Sequence, residues 1–162
     1  MINKKRLVKT FTDLVKIDSE SRSEANVAKY IKNKLNKLGI KYKIDKSAVS
    51  TKSNHGNIIA RLGSDKKLPT ILLSSHMDTV TNGLGINPVV KKESITSDGT
   101  TILGADDKSG LAIILETLEV LKKKKLYHYN IEAAITTCEE IGLLGAKFLD
   151  YSLINSKQGI VL

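Results

Sequence analysis

Apolar residues recur along this chain with two different periods. Near the amino terminus Leu7, Phe11, Leu14 and Val15 fall on one face of a helix in a segment otherwise rich in lysine. A second helical stripe, Val27, Ile31, Leu35 and Leu38, follows Ser21 and Glu24, whose Ser-x-x-Glu spacing reads as a capping box. Gly39 supplies its left-handed stop. A charged strand, IKYKID, comes next, and then NIIARLG and PTILLSSH read as strands. The last of these is a continuous apolar run suited to a sheet covered on both faces, and Pro69 sits where a strand can begin. Between Val89 and Leu103, VVKKESITS and TTIL predict a hairpin turning at Asp98 and Gly99. From Lys108 onward Leu111, Ile114, Leu115, Leu118 and Leu121 predict a long amphipathic helix. NIEAAITT predicts a strand running into Cys138, Glu139 and Glu140, GLLGAKFLDY a helix, and GIVL a last strand. Helices alternating with apolar strands predict an α/β fold, a three-layer sandwich with a mostly parallel central sheet flanked by helices. In such sheets function gathers just past the carboxyl ends of the strands.

Composition narrows the class. With 162 residues and 41% apolar content the chain has room for one domain with a sizeable core. No apolar stretch approaches the roughly 20 residues of a membrane-spanning helix. The start, MINKKRLVKTFTDL, lacks the apolar core of a secretory signal, so the expectation is a cytoplasmic chain with no membrane partner. Cys138 is the one cysteine; it offers no internal disulfide and no thiolate cluster, so a metal site must use imidazole and carboxylate. The net charge of +9 raises a nucleic-acid partner, since phosphate neutralisation gives sequence-independent affinity. Against it, only Arg6, Arg22 and Arg61 are arginines among 26 basic residues, and Lys122 to Lys125 close a predicted helix, where cations suit the carbonyl end. Aromatic interleaving is limited to Tyr127 and Tyr129. The charge therefore reads as solvated helix faces, with no nucleic-acid partner.

The chemistry-bearing groups stand at element ends. His76 and Asp78 follow TILLSS, Asp106 and Asp107 lead into a helix, and Glu139 and Glu140 follow EAAITT. Singly, each has a plain explanation: a hydrogen-bonded His–Asp pair, acids complementing a helix dipole, a solvated turn. Together, several carboxylates converging on one locus repel one another and call for positive charge, which a divalent cation supplies. Glycines at Gly104, Gly110, Gly142 and Gly145 allow close backbone approach around them.

In this order SSHMDTV, GADDKSG and CEEIGLLGA resemble the amino-terminal catalytic part of the co-catalytic zinc exopeptidase family. That family includes tripeptide aminopeptidase, glutamate carboxypeptidase, aminoacylase and succinyl-diaminopimelate desuccinylase, and LGADDKSG with TCEEIGLLGA is nearest the peptidase T-like branch. The resemblance implies His76 as a ligand of one metal, Asp106 as the bridging ligand and Glu140 as a ligand of the second. It implies Asp78 as the acid that orients the imidazole and Glu139 as the general base, with Asp107 outside the ligand set. It implies two Zn2+ per complete site, while oxygen-rich ligation leaves Mn2+ or Co2+ open. The implied function is a metal-dependent di- or tripeptide aminopeptidase acting on short peptides. An N-acyl-amino-acid amidohydrolase of the same family competes with it, and so does a non-catalytic metal- or peptide-binding protein. Family members are longer, with a further carboxylate after the strand that ends at Leu162, a distant histidine, and a lid or dimerisation domain. Residues 1–162 thus read as the amino-terminal portion of a catalytic domain, inactive by itself, with homodimerisation belonging to the full-length protein. His55 and His128 lie outside the motifs and read as surface residues.

Overall fold

The computed structural model describes every residue except Ser64, Lys66 and Tyr127; Tyr127, one of the two aromatics weighed for base stacking, therefore lies outside the described residues. The apolar stripes become helices that bury them. α1 (Lys4–Val15) buries Phe11, Leu14 and Val15, and its first turn is capped by Asn3, whose side chain accepts from the Arg6 amide. α2 (Ala25–Lys37) buries Val27, Ala28, Ile31 and Leu35, and the chain leaves it through Gly39 at φ 61°. Its expected capping box does not form. Ser21 donates to Asp78 and Glu24 accepts from the Cys138 amide and the Ser53 hydroxyl, so buried long-range partners win over the local ones.

The remaining elements are β1 (Lys41–Ile44), a helical turn α3 (Ala48–Thr51), β2 (Ile58–Leu62), β3 (Thr70–His76), β4 (Val89–Val90), β5 (Ile95–Thr96), α4 (Ala105–Lys124), β6 (Asn130–Thr136), α5 (Leu144–Lys147), a 3-10 turn (Tyr151–Leu153) and β7 (Gln158–Val161). The main sheet has the order β1-β2-β6-β3-β7. β6, β3 and β7 are parallel neighbours, whereas β2 runs antiparallel to both β6 and β1. Four of the five strands thus point the same way, the mostly parallel sheet expected, and β2 runs against them, which makes the sheet mixed. The β1–β2 link holds one helical turn, too little for the crossover a parallel neighbour requires.

Alternation along β6 divides the layers. Ile131, Ala133 and Ile135 join Ile58, Ala60 and Leu62 and the buried stripes of α1, α2 and α4 in one core. Glu132, Ala134 and Thr136 are buried on the opposite face. There Glu132 accepts from the amides of Asn155 and Ser156 and pairs with Arg61 at 3.0 Å, while Arg61 reaches the Leu153 carbonyl. The predicted helix over GLLGAKFLDY contracts to α5 and the 3-10 turn on this side.

The hairpin is displaced from its expected position. β4 pairs with β5 through a turn closed by the Lys91 amide on the Ser94 carbonyl, and TTIL forms no strand. Asp98 instead accepts from the amide and hydroxyl of Thr100, a local side-chain turn that replaces strand pairing. Within α4, Asp106 (φ −83°, ψ 109°) and Asp107 (φ −119°, ψ 40°) depart from helical geometry and are joined by a cis peptide, so the regular turns follow them, as the sequence predicts from Lys108. No helix among the described residues is long and apolar enough to cross a membrane.

Candidate metal centre

The parallel pairing of β3 with β6 sets His76 opposite Thr136, so both strands end at the same level of the sheet. The turns beyond them carry the polar motifs to one locus. The ladder continues for one bond past His76, from the Met77 amide to the Thr136 carbonyl. Past β6 the chain turns sharply at Cys138, φ 53°, and presents Glu139 and Glu140. Gly145 lets the following segment pack back on this turn, since a Cβ there would stand 2.0 Å from the Thr137 carbonyl oxygen.

His76 is almost buried, with Nδ1 3.0 Å from the Asp78 carbonyl and 3.4 Å from its Oδ1. Nε2 lies 3.1 Å from Asp106 Oδ1 and 3.8 Å from Glu139 Oε2. Burial alone would lower the imidazole pKa. The hydrogen bond and charge of Asp78, then Asp106 and Glu139, outweigh burial and raise it to about 9. At neutral pH the ring therefore holds both protons, and Nε2–H donates to Asp106.

Asp78 is fully buried and ties two strand ends together. Its Oδ1 accepts from the Glu139 amide at 3.0 Å, and its Oδ2 from the Glu140 amide at 3.2 Å and the Ser21 hydroxyl at 2.7 Å. Burial opposes its ionisation, but His76, Ser21 and the two amides together hold its pKa below the ordinary carboxylate value. Asp106 is open to solvent, its side chain 86% exposed. Burial, followed by the charges of Asp106, Glu139 and Asp78, raises Glu140 despite the opposing imidazole. Asp107 turns inward, is raised chiefly by burial, and accepts from the Gly110 amide.

One ligand atom from each of His76, Asp106 and Glu140 lies within 4.8 Å of the other two. Metal–ligand bonds of about 2.0–2.2 Å span such a set with little movement, and nitrogen with two carboxylate oxygens is a donor set that zinc accepts. The acids' mutual opposition to ionisation is what a divalent cation relieves, so these residues fit one. His55 and His128 stand apart from the cluster. Both are half-buried rather than on the surface: His55 lies 2.9 Å from Lys32 Nζ and bonds the Gly56 carbonyl, and His128 bonds the Tyr129 carbonyl.

Four supporting residues escape the motif reading. Ser21 and Glu24 are masked by their resemblance to a helix cap, and Ser19 carries no sequence signal. Lys108, fully buried, donates to Ser19 Oγ at 2.6 Å and to the Met77 carbonyl. Its signal was legible as a mismatch, because a cation opening a helix opposes the dipole. Burial lowers its pKa to about 8 against the pull of Asp78, Glu24, Asp107 and Glu140.

The chain is 47% identical over 162 residues to the uncharacterized protein YqjE of Bacillus subtilis strain 168, covering 100% of itself and 44% of that protein. It superposes on an aminopeptidase PepT from Bacillus cereus with a TM-score of 0.95 and 46% identity, over 99% of this chain and 43% of that one. A tripeptidase from Staphylococcus aureus gives 0.94 and 43%, with the same coverage of 99% and 43%. The chain thus spans less than half the length of each of these three relatives. Residues 57–159, more than half of the chain and inclusive of His76, Asp78, Asp106, Glu139 and Glu140, match the model of peptidase family M28, and the chain belongs to that family.

Proposed function

We propose that this chain is the amino-terminal portion of the catalytic domain of a cytoplasmic metallo-exopeptidase that removes residues from short peptides, tripeptides foremost. The observation that carries this is the convergence of His76, Asp106 and Glu140 within 4.8 Å, with the Glu139 carboxylate 3.8 Å from the same imidazole nitrogen. His76, Asp106 and Glu140 would hold the metal, Asp106 bridging where two ions bind. Zinc is the first expectation, and Mn2+ or Co2+ suit the same oxygen-rich set. When bound, a divalent cation supplies Lewis-acid polarisation of the scissile carbonyl and makes water a stronger acid. Glu139 then takes a proton from the attacking water and passes it to the leaving nitrogen. Asp78 fixes the direction of the His76 ring and, through their amides, the places of Glu139 and Glu140. Peptides are favoured over N-acyl amino acids as substrates because the solved structures superposing here at 43% and 46% identity are a tripeptidase and an aminopeptidase.

The test is hydrolysis of tripeptides against N-acyl amino acids by the full-length protein that carries this segment, with Zn2+, Mn2+ or Co2+ supplied in turn. Tripeptide cleavage that vanishes in Glu139→Gln supports the proposal. Cleavage of N-acyl amino acids alone would replace the peptidase with an amidohydrolase, and no cleavage of either by a metal-loaded protein would leave a binding protein.

A further inference from the structure

Lys108 is the largest wholly buried side chain near the centre, and it does not point at the ligands. Its ammonium reaches behind them to the carbonyl of Met77, the residue between His76 and Asp78, and to the hydroxyl of Ser19. The backbone of Ser19 in turn accepts from the Thr79 amide at 3.0 Å. These bonds close a ring around Met77, Asp78 and Thr79, just beyond the last ladder bond from Met77 to Thr136. The Met77 carbonyl therefore finds its partner in a side chain anchored on α4, where the ladder has none left to offer. Because Asp78 holds the His76 ring on one side and the Glu139 and Glu140 amides on the other, whatever fixes residues 77–79 fixes all three motifs. Asp78, Glu24, Asp107 and Glu140 surround this ammonium closely enough to act on it electrostatically, which makes a buried cation tolerable there.

We propose that Lys108 is a positioning residue for the metal centre, pinning the Met77 carbonyl and Ser19 so that Asp78 aims the His76 imidazole and sets the Glu139–Glu140 turn. The inference rests on the proposed metal function only for its consequence in binding; the ring geometry is testable without metal. In the 15N-labelled chain held in EDTA, the His76 Nδ1–H, hydrogen-bonded to Asp78, is expected as a protected downfield proton signal. Lys108→Met keeps the volume and removes the donors. The expected result is loss of that signal, while the β6 amides keep their positions and His55, bonded to the Gly56 carbonyl, keeps its ring signals. Zn2+ affinity by calorimetry is expected to fall about tenfold or more, the usual effect of removing support behind a ligand.

An unchanged His76 signal in a folded Lys108→Met protein would overturn the proposal, as would Zn2+ binding as tight as, or tighter than, the wild type's. Tighter binding would mean that the ammonium acts only as a repelling charge. Should Lys108→Met not fold, Ser19→Ala removes one partner alone. Faster solvent exchange of the His76 Nδ1–H then supports the role, and unchanged exchange rejects it. A wild-type chain that binds no Zn2+ defeats the metal function proposed above, and the His76 signal still decides the positioning role.

Discussion

An imidazole with a pKa of about 9 is an imidazolium at neutral pH, and in the metal-free protein that charge stands between Asp78 and Asp106. The folded value lies above the ordinary 6.5, so the stabilisation is complete below pH 6.5 and is lost as pH rises through about 9. Lys108 has the opposite sign. Its folded pKa of about 8 lies below the ordinary 10.5, so folding gains as pH climbs through the interval between them. In EDTA the melting temperature should therefore fall between pH 6.5 and about 8, hold level to about 9 where the two effects offset, and recover above it. His76→Gln should remove the fall, and a slope that survives this change would contradict the assignment to His76. The two aspartates should also separate. Asp78→Asn removes a buried charged acceptor from three half-buried donors and should cost on the order of 2–3 kcal/mol in urea unfolding. Asp106→Asn, at an exposed side chain, should change stability by no more than about 0.5 kcal/mol. Both should weaken Zn2+ binding in calorimetry. Equal stability losses would mean that Asp78 does not clamp the strand ends.

Elements bring those residues together through a few close approaches, and the turn after β6 is the tightest. At Gly145 an added methyl would meet the Thr137 carbonyl oxygen at 2.0 Å and its amide nitrogen at 2.7 Å. Backbone cannot yield cheaply there, so Gly145→Ala should destabilise by about 2 kcal/mol or more and lower Zn2+ affinity by displacing Glu139 and Glu140. Full stability in a denaturant titration would show that the turn has slack. The elements themselves were largely legible in sequence, because the stripes of α1, α2 and α4 and the apolar runs of β3 and β6 answer to a burial period that each segment carries within itself. The hairpin was misplaced because Asp98 satisfies the chain locally through Thr100, a competition that periodicity does not register. The direction of β2 was not visible either, since pairing partners lie far apart in sequence. The three motifs of the site were legible as acids and a histidine at element ends. Their supports were not: Ser21 meets Asp78 across 57 positions and Glu24 meets Cys138 across 114, and such distances leave no local spacing to read.

Across the whole molecule the two edges of the main sheet differ in how they meet solvent. β1 carries Lys41 and Lys43 along an edge, and charged side chains of that kind discourage pairing with another chain. β7 forms the other edge with the sequence Gln-Gly-Ile-Val; all four residues are exposed, Val161 at 82%, and Leu162 follows at 43%. An uncharged, apolar, exposed edge is a template for another strand. Opposing it is a net charge of +9, whose repulsion acts between whole molecules and is screened by salt. The 162-residue chain should therefore stay monomeric at about 0.05 M salt, where the screening length exceeds 10 Å, and associate as salt rises to about 0.5 M. The sign discriminates between causes, because association held by ion pairs would weaken along the same series. Val161→Lys places a charge on the edge without touching the buried core and should suppress association at high salt. Sedimentation velocity on the two proteins across the series measures this, and association that ignores Val161→Lys would move the contact surface away from β7.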